Sequence, residues 1–329
     1  MGAGVIGGVY AGHLARAGHE VTLLARGSRL DELRRFGLQL RPADGALFSP
    51  SVTVAGDTRA ARPDLVVLAV RREQAMSAAR QVSGMQAGAV LLFGNYAGMT
   101  AELAAVCGRE RTAAGFPGVG GRNDGGVLTY RLIAQQRTVV GTLGRPSVDV
   151  LRIATDLRRA GFPTRVETDM EGWLATHAAL VVPMAAAIHA AGGSADGAGR
   201  RADLLRLAVR ATRAIYRAQV RDGRLVAGAN LRLLYLGMPE WFARLYWSRA
   251  LRGDFGELAF AAHTRHAWTE MALLAEWLRT TVAGDREAAG ALDDVLGVTD
   301  RGPSSAEVME ASHRRRCVTF TRTLPPDGR

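Results

Sequence analysis

The sequence predicts two domains: an N-terminal α/β domain with a doubly wound parallel sheet, and an all-α C-terminal domain. Three observations indicate this organisation. The chain begins with a glycine-rich turn that leads into a helical pattern and then into a strand. Apolar strand patterns alternate with helical ones as far as residue 166. From residue 167 onwards long helical patterns dominate, so we place the domain boundary there.

The glycine-rich turn has the spacing G-x-G-x-x-G, formed by Gly2, Gly4 and Gly7. In a Rossmann-type dinucleotide-binding unit the first glycine permits a tight turn, and the second lets the backbone approach a pyrophosphate. The third lets the helix pack closely on its strand. We expect the cofactor to contact these glycines and Ile6, with its pyrophosphate over the helix N-terminus. Only Met1 precedes Gly2, and the expectation is therefore that the first strand is truncated.

The rest of the N-terminal half alternates regularly. A continuous apolar run at residues 63–70 is typical of a parallel strand that is buried on both faces. Further strands are expected at residues 20–25, 52–55, 89–93 and 111–114, with helices at 9–17, 27–40, 72–82, 100–107 and 147–160. Residues 127–134 and 138–141 resemble a terminal β pair.

The second half is predicted to be helical from residue 167 to residue 284. Its helical patterns cover residues 170–191, 201–219, 239–251 and 255–282, with a flexible break at residues 192–199. Residues 285–329 are polar with little periodicity, which predicts a poorly ordered tail.

Composition narrows the functional class. With 48% hydrophobic residues among 329 there is enough apolar material for two cores, and no apolar run of 18 residues predicts a membrane span. No secretory signal is recognisable, and two isolated cysteines predict neither a disulfide framework nor a metal site. We therefore expect a cytoplasmic protein without membrane contact.

The formal net charge is +11, and every one of the 42 basic residues is arginine. A basic chain suggests nucleic-acid binding, but these arginines are scattered and aromatic residues make up only 6%. The expected partner is a small-molecule substrate and not a nucleic acid, and a homodimer remains open.

Arginines also predict the choice of cofactor. NAD specificity usually depends on an acidic residue at the end of the second strand, and Arg26 stands there instead. Arg29 lies close by, and Arg71 follows the buried strand at the same edge of the sheet. Three arginines near one 2′-phosphate favour NADP(H) over NAD. For Arg29 and Arg71 the alternative is an ordinary solvated side chain.

These residues together resemble the ketopantoate reductase family. The resemblance rests on GAGVIGGVYAGHLARAGHEVTLLARGSR, DLVVLAVRREQ, LLFGNYAG and WLATH, and it extends loosely over residues 2–280. It implies a Rossmann domain joined to a helical domain, with NADPH and substrate in the cleft between them. It also implies that Arg26 and Arg71 contact the 2′-phosphate, and that Asn95 lies beside the nicotinamide and the substrate.

The resemblance fails at the residues that perform the chemistry. The family uses a lysine as proton donor two residues after a tryptophan, a position that falls on Ala175 when counted from Trp173. The family's two substrate-binding asparagines fall on Ala179 and Pro183. Because the chain contains no lysine, no other lysine can replace the missing one, and reduction of ketopantoate itself is not expected.

Two residues are candidates for the missing function. His177, four residues after Trp173, could act as general acid, or it could be a packed core residue. Glu257 lies roughly where the family keeps a substrate-binding glutamate, although a charge at a helix N-terminus explains it better. With Asn95, these residues form the predicted catalytic set.

The sequence therefore predicts an NADPH-dependent oxidoreductase that acts on a carbonyl or imine. Replacement of three polar positions by Ala and Pro suggests a substrate more apolar than ketopantoate. The alternative is a non-redox relative that uses the same cleft as a cyclase, an isomerase or a binding pocket.

Overall fold

A computed structural model of the chain describes most of its first 299 residues. The described ranges are 2–57, 62–144, 148–253, 256–261 and 267–299.

The N-terminal half alternates strands and helices as predicted. Its helices are α1 (Val5–Arg16), α2 (Gly27–Phe36), α3 (Arg72–Ser83), α4 (Thr100–Cys107) and α5 (Val150–Arg159). Its strands are β1 (Thr22–Leu24), β2 (Gln39–Pro42), β3 (Thr53–Ala55), β4 (Leu65–Leu68), β5 (Ala89–Phe93), β6 (Thr112–Phe116), β7 (Val119–Asp124), β8 (Val127–Leu132), β9 (Thr138–Thr142) and β10 (Thr164–Glu167).

The main sheet contains five strands in the order β10-β9-β6-β5-β4. Strands β4, β5 and β6 are parallel, and β9 runs antiparallel to β6 with β10 parallel to β9. In β5, Val90, Leu91 and Leu92 are completely buried, because helices or strands cover both faces of the sheet. Two smaller sheets, β1-β3 and β2-β8-β7, complete this half.

One predicted strand pairing is wrong. The predicted strands at residues 127–134 and 138–141 do not pair with each other, since β8 pairs with β7 and β2, and β9 lies between β6 and β10. The reason is the turn before β8, in which Gly125 and Gly126 have φ angles of +61° and +99°. Two successive residues with positive φ suit a tight hairpin, so β8 folds back onto β7.

The C-terminal half is helical in the described residues. Its helices are α6 (Met170–Ala190), α7 (Ala195–Arg200), α8 (Ala202–Arg221), α9 (Ala229–Arg232), α10 (Glu240–Ala250), α11 (Trp268–Val282) and α12 (Arg286–Leu296), with π-helical segments Leu233–Gly237 and Glu257–Ala261. Helix α6 is long and apolar enough to cross a membrane, but 78% of its apolar window is buried. It packs against α8, α11 and α12, as the central helix of a globular domain does.

Three predicted boundaries in this half need correction. The tail predicted from residue 285 begins with α12, which Asp285 caps by accepting a hydrogen bond from the backbone N–H of Ala288. Apolar residues of α12 are buried against the helical domain, among them Leu292 and Val295. The predicted break at residues 192–199 contains α7. The helix predicted at 255–282 is divided into a π-helical segment and α11, and residues 262–266 and 300–329 lie outside the described ranges.

A shared apolar core joins the two halves. It contains Leu68 of β4 and Leu92 of β5 together with Trp173 and Leu180 of α6. The carboxyl ends of β4 and β5 therefore point towards the helical domain, where ligands of parallel α/β sheets usually bind.

Candidate active site

The glycine turn has the shape that a dinucleotide requires. Gly2 has a φ of +92°, and a Cβ there would lie 2.0 Å from the carbonyl oxygen of Ala69. A Cβ on Gly7 would lie 1.9 Å from the carbonyl oxygen of Gly2. Around the Cβ position of Gly4, in contrast, the described residues other than its two chain neighbours place no atom within 4 Å. The two outer glycines are thus required by packing, and Gly4 leaves room for a ligand.

The N-terminus of α1 offers free donors beside this opening. Its first intrahelical hydrogen bond joins Gly8 N to Gly4 O at 2.8 Å, so the preceding N–H groups have no acceptor within the helix. The first turn contains no acidic residue, and Gly4, Val5 and Ile6 line the adjoining cavity. Such a helix end binds phosphate groups through its N–H groups and its dipole.

Of the three arginines predicted to bind the cofactor, Arg71 alone lines the cavity. It is exposed at the start of α3, and no hydrogen bond or ion pair links its guanidinium to the described residues. Arg26 lies at the start of α2 and donates a hydrogen bond to Oε1 of Gln81 on α3.

Arg29 has a structural role instead. Its Nε donates to the carbonyl oxygen of Ala3 in the glycine turn at 3.1 Å. Its Nη1 donates to Glu32 at 2.7 Å and to the carbonyl oxygen of Gly126 at 3.3 Å. Arg29 therefore ties the glycine turn to the β7–β8 hairpin through Nε and Nη1, while its buried Nη2 has no hydrogen-bond partner among the described residues.

A cavity of about 1060 Å³ extends from the glycine turn to the helical domain. Asn95, which follows β5, lines this cavity. Asn95 Nδ2 donates to Oε1 of Glu270 on α11 at 2.7 Å. Because a carboxylate accepts only, the amide group of Asn95 must turn its nitrogen to Glu270, which leaves Oδ1 for a donor on a ligand.

Arg72 completes this arrangement. Its backbone N–H donates to Oε2 of Glu270 at 3.1 Å, and its Nη1 donates to the carbonyl oxygens of Asn95 and Ala97 at 3.2 and 2.7 Å. Burial lowers the pKa of Arg72, and the charge of Glu270 partly opposes this effect. Glu270 and Arg72 are only 4% and 7% exposed, so they fix the loop of Asn95 across the domain junction.

Glu270 is the site residue that the sequence analysis missed. Glu257, the predicted glutamate, belongs to the π-helical segment and is not among the described residues that line the cavity, whereas Glu270 is. A signal for Glu270 was present: it precedes Leu274 and Leu278 by four and eight residues. A carboxylate on the buried face of a helix indicates a specific partner.

Helix α6 presents His177 to the cavity. The imidazole stacks on Trp173 with ring centroids 5.1 Å apart, and its centroid lies 4.2 Å from that of Phe116. Among the described residues that line the cavity, α6 contributes Trp173, Thr176, His177, Leu180, Val181 and Ala185.

The positions assigned to the family's lysine and asparagines are not in this set. Ala175 does not line the cavity, and Ala179 and Pro183 are buried in the helical core. His177, in contrast, lies in the cavity wall. Its action as a general acid stays a prediction. In the described residues no group of three or more His, Cys, Asp or Glu side chains could hold a metal ion.

Comparison with known proteins agrees with this geometry. Residues 1–145 match the family model of ketopantoate reductase PanE/ApbA. The chain is also similar to the 2-dehydropantoate 2-reductase of Pyrococcus horikoshii, with 25% identity over 187 residues. That match covers 53% of this chain and 56% of the enzyme, so it spans little more than half of the relative's length. The resemblance to the ketopantoate reductase family is confirmed.

Solved structures extend the similarity in fold to both halves. A ketopantoate reductase homologue from Ralstonia solanacearum MolK2 aligns with a TM-score of 0.70 and 19% identity, over 94% of this chain and 97% of that one. D-mandelate dehydrogenase bound to NADH and anilino(oxo)acetate aligns with a TM-score of 0.73 and 12% identity, over 94% and 98%. The predicted fold class is confirmed.

Proposed function

We propose that this chain is an NADPH-dependent oxidoreductase that reduces a carbonyl or imine in a substrate more apolar than ketopantoate. One observation carries the proposal: a single cavity includes the glycine turn, Arg71, the Asn95–Glu270 pair and an apolar wall from the helical domain. A bound nicotinamide cofactor would supply the hydride for this reaction.

The choice of NADPH is supported by charge. Arg71 lines the cavity and has no partner among the described residues, so a phosphate would gain a charge-assisted hydrogen bond there. Arg26 is exposed and contacts only a neutral glutamine in the described structure, which leaves its charge uncompensated. Arg29 does not contribute to this preference, because its guanidinium forms an ion pair with the carboxylate of Glu32.

The apolar character of the substrate is supported by the part of the cavity wall that the helical domain contributes. Its apolar side chains include Leu180, Val181, Phe260 and Met271. The D-mandelate dehydrogenase of similar fold binds anilino(oxo)acetate, in which an aromatic ring accompanies an oxoacetate group. Aromatic 2-oxo acids and aryl ketones are therefore the first compounds to test.

We assign separate roles to the polar residues. Both oxygens of Glu270 accept N–H groups, which favours the ionised form, so Glu270 orients Asn95 and does not donate a proton. Asn95 then offers Oδ1 to the ligand. His177 is the one imidazole among the described residues that line the cavity, and we assign it the protonation of the product oxygen or nitrogen.

A panel of carbonyl compounds tests the proposal. NADPH consumption is measured with phenylglyoxylate, acetophenone and ketopantoate, and we expect turnover with the aryl compounds and little with ketopantoate. His177→Ala should lower kcat about 10²-fold, because general acid catalysis contributes at least that much. The matched control is His19→Ala, an exposed histidine that lies outside the cavity among the described residues.

Other results would favour a different function. If the chain binds NADPH but consumes none with any carbonyl or imine, the cleft serves a non-redox cyclase, an isomerase or a binding function. If turnover occurs and His177→Ala leaves kcat and its pH profile unchanged, the reduction stands and the role of His177 is wrong.

A further inference from the structure

The arginines of the cavity wall differ in whether a carboxylate compensates their charge. Those among the described lining residues are Arg71, Arg122, Arg137 and Arg165. Arg122 Nε donates to both oxygens of Asp124 at 2.9 Å, and Arg165 Nη2 donates to Glu167 at 2.9 Å. Arg71 is the residue that we assign to the cofactor phosphate. Arg137 is exposed, and no hydrogen bond or ion pair joins its guanidinium to the described residues. Its charge is therefore available to a ligand in the cavity.

The order of the strands places Arg137 and Arg71 on opposite sides of Asn95. Arg71 follows β4, and the glycine turn lies against Ala69 at the end of the same strand. Asn95 follows β5, the next strand of the sheet, and then come β6 and β9. Because β9 is antiparallel to β6, Arg137 at its start lies at the same edge of the sheet as Asn95. Two strand spacings put the backbones of Asn95 and Arg137 roughly 10 Å apart across the strands.

Phe116, the last residue of β6, lies between these two points. It pairs in register with Val139 of β9, and its ring centroid is 4.2 Å from that of His177. Arg137 precedes Val139 by two residues, which makes it a diagonal neighbour of Phe116 at about 7–8 Å. A Cβ on Gly118 would lie 2.9 Å from the carbonyl carbon of Arg137, so the backbone of Arg137 packs against the end of β6. The arginine and the aromatic rings thus border the same space.

We propose that Arg137 binds an anionic group at the end of the substrate remote from the reacting carbonyl. This inference rests on the proposed function, which places the reacting group beside Asn95 and His177. A carboxylate would gain charge-assisted hydrogen bonds from the guanidinium, and the rings of Phe116 and Trp173 would pack against an apolar spacer. The substrate class is then an aromatic ketone or imine whose carboxylate is separated from the reacting carbon by a ring or a chain of similar length.

Three probes test this subsite: 4-acetylbenzoate, its methyl ester and phenylglyoxylate. In the first the carboxylate is across the ring from the ketone, in the second it is neutral, and in the third it adjoins the carbonyl. Their affinities are measured by calorimetry with the full chain, with and without NADP⁺. We expect 4-acetylbenzoate to bind about tenfold more tightly than its ester, as one charge-assisted hydrogen bond gives.

Arg137→Gln should abolish this preference and leave the affinity for the ester unchanged. The side chain is exposed and has no partner among the described residues, so thermal unfolding of the variant should match the wild type. The matched control is Arg109→Gln, which also removes one exposed positive charge. Arg109 is not among the described residues that line the cavity, so this control should keep the preference for the acid.

The possible outcomes separate the two proposals. An acid that binds no more tightly than its ester, a preference that survives in Arg137→Gln, or no binding of any probe overturns the subsite. Equal weakening of phenylglyoxylate and 4-acetylbenzoate in Arg137→Gln would show that the remote position is wrong. Weaker NADPH binding in this variant would assign Arg137 to the cofactor and overturn the inference. If the probes behave as expected while the wild type does not bind NADPH, the subsite holds and the reductase proposal fails.

Discussion

Substitution of Glu270 by Gln tests the junction between the two domains. In the wild type its two carboxylate oxygens accept from Asn95 Nδ2 at 2.7 Å and from Arg72 N at 3.1 Å. A glutamine has one acceptor oxygen and one NH₂ group, so it cannot accept both hydrogen bonds. If its oxygen stays with Arg72, its NH₂ group faces the NH₂ group of Asn95, and Asn95 has to turn its amide around.

The expected loss in free energy of unfolding for Glu270→Gln follows from the type of hydrogen bond that is weakened. A hydrogen bond to a charged group contributes about 1.5–3 kcal/mol and a neutral one about 1 kcal/mol, so two weakened bonds cost about 2 kcal/mol. Loss of the negative charge also leaves the guanidinium of Arg72, 7% exposed, without the carboxylate that opposes its burial. Glu270→Gln should therefore lower the free energy of unfolding by about 2 kcal/mol.

Urea denaturation of Glu270→Gln, Asn95→Ala and the double variant measures this effect. The double-mutant cycle should give a coupling energy of about 1–2 kcal/mol between the two residues. In Glu270→Gln the reversed amide of Asn95 would present its NH₂ group to the cavity. The kcat/KM of this variant should therefore fall by more than its loss of stability explains. The reasoning is refuted if the losses in free energy of unfolding of the two single variants add up to that of the double variant within about 0.5 kcal/mol. Such additivity would mean that Glu270 does not hold Asn95.

Five other substitutions give three further tests. Arg71→Ala should weaken NADPH binding at least tenfold and leave NADH binding unchanged in fluorescence titrations. Arg29→Ala should lower the unfolding temperature and keep the NADPH preference, because Arg29 contacts protein groups. Gly4→Val should abolish NADPH binding with little loss of stability, since among the described residues only the chain neighbours of Gly4 come within 4 Å of its Cβ position. Gly2→Val, in contrast, should unfold the domain because its Cβ would lie 2.0 Å from Ala69 O. Burial lowers the pKa of His13, so the native protein takes up this proton at lower pH than the unfolded chain, and stability should fall as pH drops below about 6.5. His13→Gln should flatten that decline in urea unfolding, and an unchanged slope would show that other groups cause it.

Local physics explains what the sequence could predict. The roles of Gly2 and Gly7 depend on backbone conformation and close contact, which the motif spacing encodes directly. Buried parallel strands produce continuous apolar runs, so β4 and β5 were found within two residues of their observed bounds.

The features that the sequence did not predict depend on tertiary contacts. Glu270 and Asn95 are 175 residues apart, and only the packing of α11 against the N-terminal domain brings them together. The face of α6 that lines the cavity depends on the rotation of that helix, so counting from Trp173 led to Ala175, outside the lining set. The tail prediction failed at α12 because its amphipathic pattern is short and borders a polar segment.

The proposed function requires that the cavity beside the glycine turn binds NADPH. A fluorescence titration of the purified chain with NADPH, and a parallel one with NADH, tests this most directly. We expect saturable binding of NADPH that is at least tenfold tighter than binding of NADH, as one charge-assisted contact to the 2′-phosphate would give. Absence of saturable NADPH binding would contradict the proposed function, and tighter binding of NADH would contradict the role assigned to Arg71.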